Sequence, residues 1–388
     1  MTSDIVEILL YTESQIVITK SIKHPKEELI MREYNIAVIP GDGIGNEVME
    51  EGLKVLNKVS SLCGNVVFTY DYFDWGCEYY LKHGKMMDDD GLEKLKKYDA
   101  ILLGAVGYPG VPDHISLRDL LLKIRQGFNQ YINLRPIKLL PNVECPIKNK
   151  GCDDVNMIFV RENKEGEYAG IGGIFNEGQE DEVAIQTAVF TRKNTEKVMK
   201  YAFELAKKRN KDSKVTSVTK SNALNYSMVF WDKLFKECSA LYPEIDTESY
   251  HVDAISMFMI QKPEILDVVV ASNLFGDILT DLGSVLQGGL GFAAGANINP
   301  EKEYPSMFEP VHGSAPDIAG KGLANPIAMV WTVQMMLEFL EETELSTRVM
   351  DGINEILKNK ERLTVDLGGK ASTSEVGDFI CEMLEHLK

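Results

Sequence analysis

Short apolar runs alternate along the chain with longer segments in which apolar residues recur every three or four positions. The apolar runs predict six strands, over residues 35–40, 66–73, 100–105, 157–161, 214–219 and 268–271. The periodic segments predict five helices, over 47–63, 195–210, 226–239, 274–287 and 324–342. Strands that alternate with helices in this way are typical of the α/β fold class.

Two glycine-rich stretches, 163–178 and 283–296, interrupt this alternation and predict functional loops or domain junctions. Residues 1–30 precede the first clear strand and carry Asp4, Glu7 and Glu13. A secretory signal has a basic start and an unbroken apolar core, and a transit peptide is rich in Arg and poor in acids. Neither pattern fits, so we interpret residues 1–30 as a poorly ordered extension outside the fold.

Composition narrows the class of protein. The 388 residues predict about two domains, and 44% hydrophobic with 26% charged residues is ordinary for a globular protein. The net charge of -18 argues against a nucleic-acid partner, and no apolar run reaches the ~18 residues of a membrane span. The six cysteines lack the spacing of a zinc or redox motif, which favours a reducing cytoplasm.

The first predicted strand runs into Gly41-Asp42-Gly43-Ile44-Gly45, followed by a helix. A glycine turn at a helix N-terminus favours anions, because free N–H groups and the helix dipole point outward. The spacing nevertheless departs from the G-x-G-x-x-G dinucleotide fingerprint, since the third glycine comes one residue early. A tight strand-to-helix turn without a ligand therefore stays open as the alternative.

The clearest chemistry follows the strand at 268–271, where a predicted helix carries Asp277 and Asp281 on one face. Two adjacent carboxylates repel each other unless a cation lies between them, and hard oxygen ligands suit Mg²⁺ or Mn²⁺. A solvated polar face is the alternative. Basic and phenolic candidates for a di-acid site are Arg125, Arg135, Arg161, Tyr168 and Lys220.

Six motifs together resemble the β-decarboxylating dehydrogenases, the family of isocitrate, 3-isopropylmalate and homoisocitrate dehydrogenases. They are IPGDGIG at 39–45, NLRP at 133–136, VREN-K-EGEY at 160–168, TKSN at 219–222, NLFGDILTDLG at 273–283 and EPVHGSAPDIAGKGLANP at 309–326. The resemblance covers about 34–385. Within the family, the segments at 75–87, 104–117 and 176–192 are most similar to the tartrate and D-malate dehydrogenases, although Arg118 and Lys164 depart from that branch.

The resemblance implies a two-domain isopropylmalate/isocitrate dehydrogenase-like fold that is α/β but not Rossmann. Residues 31–130 and 288–388 would form a large cofactor-binding domain. Residues 131–287 would form a central domain with the substrate and metal residues. Its segment 163–190 would be an arm that clasps a second subunit, giving a homodimer with shared sites.

The resemblance also implies the chemistry: NAD- and metal-dependent oxidative decarboxylation of a small 2-hydroxy di-acid, with D-malate giving pyruvate and CO2 and with tartrate oxidised. Tyr168 and Lys220 would be catalytic, and Arg125, Arg135 and Arg161 would bind the substrate. The metal would be Mg²⁺ or Mn²⁺ on Asp277 and Asp281 with Asp253 from the neighbouring subunit, and a requirement for K⁺ is open. The residues expected to bind NAD are Ile44, Glu309, His312, Gly313, Ser314, Ala315, Asp317, Ile318 and Asn325.

Two alternatives stay open. In a 3-isopropylmalate dehydrogenase, Leu120, Leu121, Leu122 and Ile124 would line an apolar pocket, against which Arg118, Asp119 and Lys123 argue. Isocitrate ranks after it as a substrate. A non-catalytic regulatory subunit would be expected to lack Tyr168, Lys220 or the Asp cluster, and all are present.

Overall fold

The computed structural model describes residues 31–387, and the extension predicted over residues 1–30 lies outside them. A ten-stranded sheet and a separate two-stranded hairpin contain all the described strands. These strands are β1 (Arg32–Gly41), β2 (Val66–Tyr72), β3 (Ala100–Ala105), β4 (Ile132–Lys138), β5 (Asn156–Glu162), β6 (Gly166–Phe175), β7 (Val183–Val189), β8 (Lys214–Thr219), β9 (Asp246–His251), β10 (Val268–Ala271), β11 (Ala294–Ile298) and β12 (Ser306–Pro310).

The helices pack on both faces of the large sheet. They are α1 (Ile44–Cys63), α2 (Cys77–His83), α3 (Gly91–Leu95), α4 (Asp113–Ser116), α5 (Lys123–Gly127), α6 (Arg192–Arg209), α7 (Ser227–Ser239), α8 (Val252–Gln261), α9 (Asn273–Leu286), α10 (Ile327–Phe339), α11 (Thr343–Ile356) and α12 (Thr373–His386). A π-helical stretch, Leu117–Leu122, joins α4 to α5. Among the described residues no helix is long and apolar enough to cross a membrane.

The six predicted strands and five predicted helices are confirmed, with ends that differ by three residues or fewer. Helix α10 begins later than predicted because Pro326 precedes it as N-cap. Helix α1 ends at Gly64, whose left-handed φ of 75° lets its N–H bond the carbonyl of Ser60. Thr191 caps α6 by accepting a hydrogen bond from the backbone N–H of Asn194.

The prediction of a loop over 163–178 is wrong, because most of this stretch is strand β6, which pairs with β7. The glycines of this strand interrupt the apolar pattern by which strands were predicted. The hairpin is also largely exposed to solvent, since Ile174 and Phe175 are 55% and 66% exposed. Strand β9 was also missed, since its sequence DTESYH is polar at an edge of the sheet.

The strand order in the large sheet is β2-β1-β3-β12-β11-β4-β5-β10-β8-β9. Neighbouring strands are parallel except around β11 and β4, which pair antiparallel with each other and with β12 and β5. Residues 31–130 and 288–387 supply one half of the sheet, and 131–287 supply the other half. The division into two domains stays a prediction, because the sheet continues unbroken through the β11–β4 junction.

Candidate active site

A cavity of about 330 Å³ opens at the ends of the central strands of the sheet, where β3, β5 and β12 end and β4 and β11 begin. The ends of the strands in an α/β sheet are the usual place for a ligand. Eight of the predicted site residues line it: Arg125, Arg135, Arg161, Tyr168, Asp277, Glu309, His312 and Gly313. The structure therefore brings together groups that are up to 188 residues apart in sequence (313 minus 125).

Arg161 is the most firmly held of the three arginines and is 2% exposed. Its Nη1 donates to Asp277 Oδ1 at 2.5 Å, and its Nε and Nη2 donate to the Asn273 side chain at 3.1 and 2.7 Å. Helix α9 approaches closely at Gly276, where an added Cβ would lie 2.6 Å from the Arg161 Cγ. A glycine at this position is what lets the helix reach the arginine.

Arg135 and Arg125 are also buried, and each has only part of its guanidinium satisfied. Arg135 Nη1 donates to Thr280 Oγ1 at 2.6 Å and lies 3.4 Å from Asp277 Oδ1. Arg125 Nη2 donates to Glu309 Oε1 at 2.6 Å. The Nε atoms of both arginines are buried without a hydrogen-bond partner. Burial lowers the pKa of Arg135, and burial together with the nearby Arg135 lowers the pKa of Arg161. The cluster therefore favours a bound anion, which would offset the desolvation.

Tyr168 reaches the cavity from the start of β6, and its hydroxyl donates to Asp277 Oδ2 at 2.9 Å. Burial, reinforced by the Asp277 carboxylate, raises the pKa of Tyr168. Burial acts to raise the pKa of Asp277, but Arg161 and Arg135 outweigh it and the net shift is downward. The pair is therefore a neutral phenol beside a carboxylate, which is the state in which Tyr168 can donate a proton.

Asp281 lies one helical turn after Asp277 and is the more exposed of the two, with 66% of its side chain accessible. Asp277 and Asp281 thus present carboxylate oxygens from one face of α9, which is a donor set that fits Mg²⁺ or Mn²⁺. Within residues 31–387, no three His, Cys, Asp or Glu side chains are grouped closely enough to hold a metal ion. Asp253, the third predicted ligand, is not brought to this pair within the chain.

Lys220 and Asp253 lie together but do not line the cavity. Lys220 follows β8, Asp253 lies in the first turn of α8, and Lys220 Nζ is 2.7 Å from Asp253 Oδ1. The hydrogen bond from Lys220 lowers the pKa of Asp253, whose side chain is 69% exposed. This placement leaves the predicted site divided into a buried cluster and an exposed pair.

The predicted NAD-binding residues form two groups. Ser314 accepts a hydrogen bond at 2.9 Å from the backbone N–H of Ile44, which joins the glycine turn to the loop at 312–318. Ala315 adopts a left-handed φ of 41° in that loop, and the Ile318 N–H bonds the Ala315 carbonyl. Asp317 is exposed in the same loop. Asn325 lies apart from this hydrogen-bonded group, with its amide nitrogen 3.0 Å from Asp366 Oδ2.

A network of buried asparagines behind Glu309 was missed from the sequence. Asn297 donates to Glu309 Oε1 at 2.7 Å and accepts hydrogen bonds from Asn133 and Asn163 at 2.8 and 2.9 Å. Asn133 and Asn297 face each other across the β4–β11 junction, and both are buried. A buried asparagine side chain in a strand requires a hydrogen-bond partner. Asparagines within the strand sequences were therefore the signal from which a buried polar network could have been predicted.

His312 lines the cavity beside Gly313, and burial lowers the pKa of its imidazole. Its Nδ1 lies 3.1 Å from the Gly313 carbonyl, and its Nε2 is buried with no partner. The ring is therefore neutral near pH 7 and has one hydrogen-bonding position to offer a ligand.

Comparison with known proteins gives a consistent result across the whole described fold. The model of the family described as isocitrate/isopropylmalate dehydrogenase matches residues 35–380. A probable tartrate dehydrogenase/decarboxylase from Bacillus subtilis (strain 168) is 50% identical over 360 residues, which are 92% of this chain and 100% of the relative. A decarboxylating D-malate dehydrogenase from Escherichia coli (strain K12) is 48% identical, with 92% of this chain and 99% of the relative covered.

Among solved structures, the isocitrate dehydrogenase from Methylococcus capsulatus superimposes with a TM-score of 0.82 at 35% sequence identity. The superposition covers 90% of this chain and 99% of that one. The similarity extends through both halves of the sheet.

Proposed function

The chain belongs to the isocitrate/isopropylmalate dehydrogenase family, and we propose that it oxidises and decarboxylates D-malate to pyruvate and CO2 with NAD, and also oxidises tartrate. The observation that carries this proposal is the small cavity with three buried arginines, a neutral tyrosine and a helix-borne aspartate. A di-acid of four carbons supplies the negative charge that such a cluster favours.

The arginines would bind the two carboxylates of the substrate. Arg125, Arg135 and Arg161 surround the cavity, and their guanidinium groups can grip carboxylates through paired N–H groups. Because Glu309, Thr280, Asn273 and Asp277 already hold them, these groups need little rearrangement on binding. That rigidity would fix the C2–H bond and the leaving carboxylate in the orientation that the reaction needs.

The proton transfers are assigned to Lys220 and Tyr168. Lys220, contributed by a neighbouring subunit, would accept the proton of the C2 hydroxyl as the C2 hydride leaves. The C3–carboxylate bond of the resulting keto acid then breaks, CO2 departs, and the electron pair remains at C3. Tyr168 would donate its proton to C3, and its raised pKa keeps the phenol protonated until that step.

Asp277 and Asp281 would hold a divalent cation, Mg²⁺ or Mn²⁺, with Asp253 of the neighbouring subunit as the third carboxylate. A divalent cation in this position polarises the hydroxyl and carboxylate oxygens of the substrate and stabilises negative charge on oxygen. Asp281 has an exposed side chain, so it can turn toward a cation without breaking a buried hydrogen bond. Activation by K⁺ is a separate property that the same assay tests.

NAD would bind between the glycine turn and the loop at 312–318, with contributions from Ile44, Glu309, His312, Gly313, Ser314, Ala315, Asp317, Ile318 and Asn325. NAD, when bound there, would supply the acceptor for the hydride from C2. Asp317 is exposed, and a carboxylate there suits the hydroxyls of a ribose and repels a 2′-phosphate. We therefore assign NAD, and not NADP, as the cofactor.

We also propose a cytoplasmic homodimer. The hairpin presents apolar side chains to solvent at Ile171, Ile174, Phe175 and Ile185, which are 51–66% exposed. Such a surface fits an arm that packs on a second copy. All six cysteines are free, as expected in a reducing compartment.

Activity as a 3-isopropylmalate dehydrogenase is the second candidate. Leu117 and Leu121 line the cavity and could face an isopropyl group. Asp113 and Ser116 line the same wall, and they favour a smaller or more polar substituent.

The test is NADH formation with Mn²⁺, with and without K⁺, on D-malate, L-malate, the tartrates, 3-isopropylmalate and isocitrate. We expect the highest kcat/KM with D-malate. A preference for 3-isopropylmalate would replace the proposal with the second candidate. No turnover of any substrate would favour a non-catalytic regulatory subunit.

A further inference from the structure

Asp42, in the middle of the glycine turn, is completely buried, and its carboxylate serves as an acceptor for three backbone N–H groups. The Cys77 N–H lies 2.9 and 3.0 Å from its two oxygens, the Glu78 N–H lies 3.2 Å from Oδ1, and the Gly107 N–H lies 2.9 Å from Oδ2. Among residues 31–387, no Lys or Arg forms a salt bridge with Asp42. The buried carboxylate is therefore compensated by backbone dipoles from two other segments.

The N–H groups around the glycine turn are used within the chain. In a Rossmann fold, free N–H groups at the turn and the helix N-terminus receive a pyrophosphate. Here the first N–H group of α1, on Ile44, bonds the Ser314 carbonyl. The Asp42 carboxylate points elsewhere and accepts from the first turn of α2 and from Gly107.

The segments joined by Asp42 include a wall of the cavity. The Gly107 N–H that bonds Asp42 follows directly on residues 104–106, which line the cavity together with His312 and Gly313. Gly107 has a φ of 140°, and an added Cβ would lie 3.2 Å from Ser314 Oγ. The loop at 104–107 is therefore closely fitted between Asp42 and the loop at 312–318.

We infer that Asp42 is a positioning residue for the dinucleotide: its carboxylate fixes the loop at 104–107 against the loop at 312–318 and so sets the width of the NAD cleft. This inference rests on the proposed NAD dependence. Asp42 is completely buried and does not line the cavity, so its removal would act through the two loops. Its effect should fall on NAD affinity more than on the arginines that bind the di-acid, because those arginines lie on other elements.

Asp42→Asn is the most informative change, since it keeps the shape of the side chain and removes one acceptor oxygen. The amide NH2 group would face a backbone N–H that also needs an acceptor, and one of the three N–H groups would be left unsatisfied. Loss of that bond frees either the 104–107 loop or the start of α2. We expect NADH to bind about tenfold more weakly or worse, which corresponds to the loss of one hydrogen bond to a charged group.

The experiment measures NADH binding by fluorescence titration of the full chain, without turnover, at a temperature well below the melting midpoint of each variant. The matched control is Asp89→Asn, which removes an exposed carboxylate that pairs only with Lys85. Weaker NADH binding in Asp42→Asn, unchanged binding in Asp89→Asn, and a KM for NAD that rises more than the KM for D-malate would support the inference. Wild-type NADH affinity in folded Asp42→Ala, which removes both acceptor oxygens and so leaves the Gly107 N–H without its partner, would overturn it.

If the Asp42 variants do not fold, Gly107→Ala keeps Asp42 and displaces the loop that it holds, because Gly107 has a φ of 140° and an added Cβ would lie 3.2 Å from Ser314 Oγ. We expect weaker NADH binding together with a lower Tm, and unchanged binding would overturn the inference. If the wild-type chain itself binds no NADH, the proposed NAD dependence fails, which is a different outcome from a wild-type chain and variants that bind equally.

Discussion

The buried arginine cluster and the exposed Lys220–Asp253 pair are both predicted parts of one site, but they differ in burial and in the number of their hydrogen-bond partners. Arg125, Arg135 and Arg161 are 2–7% exposed, and each is hydrogen-bonded to a side chain of another element. Lys220 and Asp253 bond only each other, with side chains 27% and 69% exposed. The first region is complete within one chain, whereas the second has a free surface that a neighbouring subunit would cover.

The largest effect that separates the two regions is expected from Arg161→Gln. This change leaves the half-buried Asp277 carboxylate without its main partner and removes one of the guanidinium groups proposed to bind a substrate carboxylate. We expect kcat/KM for D-malate to fall by about 10³-fold or more, equivalent to roughly 4 kcal/mol, with a lower Tm. Arg192→Gln, which removes an exposed arginine paired with Glu196 and Glu237, is the control and should leave both quantities unchanged.

Lys220→Met should reduce kcat by about 10²–10³-fold without lowering Tm, because water screens an exposed ion pair and the pair contributes little to stability. Steady-state kinetics and thermal melting measure the two effects separately. Lys233→Met, at another exposed ion pair, is the matched control. A large loss of stability in Lys220→Met would mean that the pair is part of the chain's own framework.

Mixing the two inactive variants tests whether the regions meet across a subunit interface. If Lys220 comes from the neighbour, a heterodimer of Arg161→Gln and Lys220→Met subunits contains one site with both side chains intact. Random reassortment then restores about a quarter of the wild-type activity, because half of the dimers are mixed and half of their sites are intact. No recovery in mixtures shown to exchange subunits would place both residues in the same site of one chain.

A moderate effect is expected from Arg118→Leu. The Arg118 guanidinium lies near the hairpin, since a Cβ on Gly170 would be 2.8 Å from its Nη1, and it is not among the residues that line the cavity. Loss of its charge should shift the ratio of kcat/KM for D-malate over 3-isopropylmalate toward 3-isopropylmalate by about tenfold. Lys123→Leu is the control in the same helical segment, and an equal shift there would indicate a general charge effect.

The smallest effect is expected at Glu162, which neighbours Arg161 but faces away from the cavity toward Asn194. Burial raises the pKa of Glu162 to about 7, despite hydrogen bonds that act in the opposite direction. The folded state therefore binds a proton that the unfolded state has released, so Glu162 reduces stability as the pH rises from about 4.5 to 7. Glu162→Gln should stabilise the protein at pH 8 relative to the wild type by ~1–3 kcal/mol, and should not do so at pH 4.5. Melting curves at the two pH values measure the difference.

The sequence allowed strands with continuous apolar runs to be predicted and failed where strands are exposed, polar or rich in glycine. It also missed β11 (AGANI) and β12 (SMFEP), which are fully buried but carry small or polar residues in place of an apolar run. β3 and β10 are fully buried apolar runs, so their patterns are distinct. β6 has four glycines and an exposed face, and β9 is polar, so neither differs from a loop in composition.

In the candidate site, too, some features could be predicted from the sequence and others could not. Asp277 could be paired with Asp281 by helical spacing alone, but its contacts with Arg161 and Tyr168 depend on how three separate elements meet. The asparagine network and the partners of Asp42 are also long-range, since Gly107 lies 65 residues from Asp42. Motif resemblance predicted the site residues, whereas only tertiary structure gives their hydrogen bonds.

The unbroken sheet has a mechanical consequence. Arg125 and Glu309 lie in the segments 31–130 and 288–387, and Arg135 and Arg161 lie in 131–287. The two halves of the sheet that these segments supply share three residue pairs at the β11–β4 junction. Closure of the cavity around a substrate would change the relative orientation of these two halves, which the paired backbones of β11 and β4 and the Asn133–Asn297 hydrogen bond hold together.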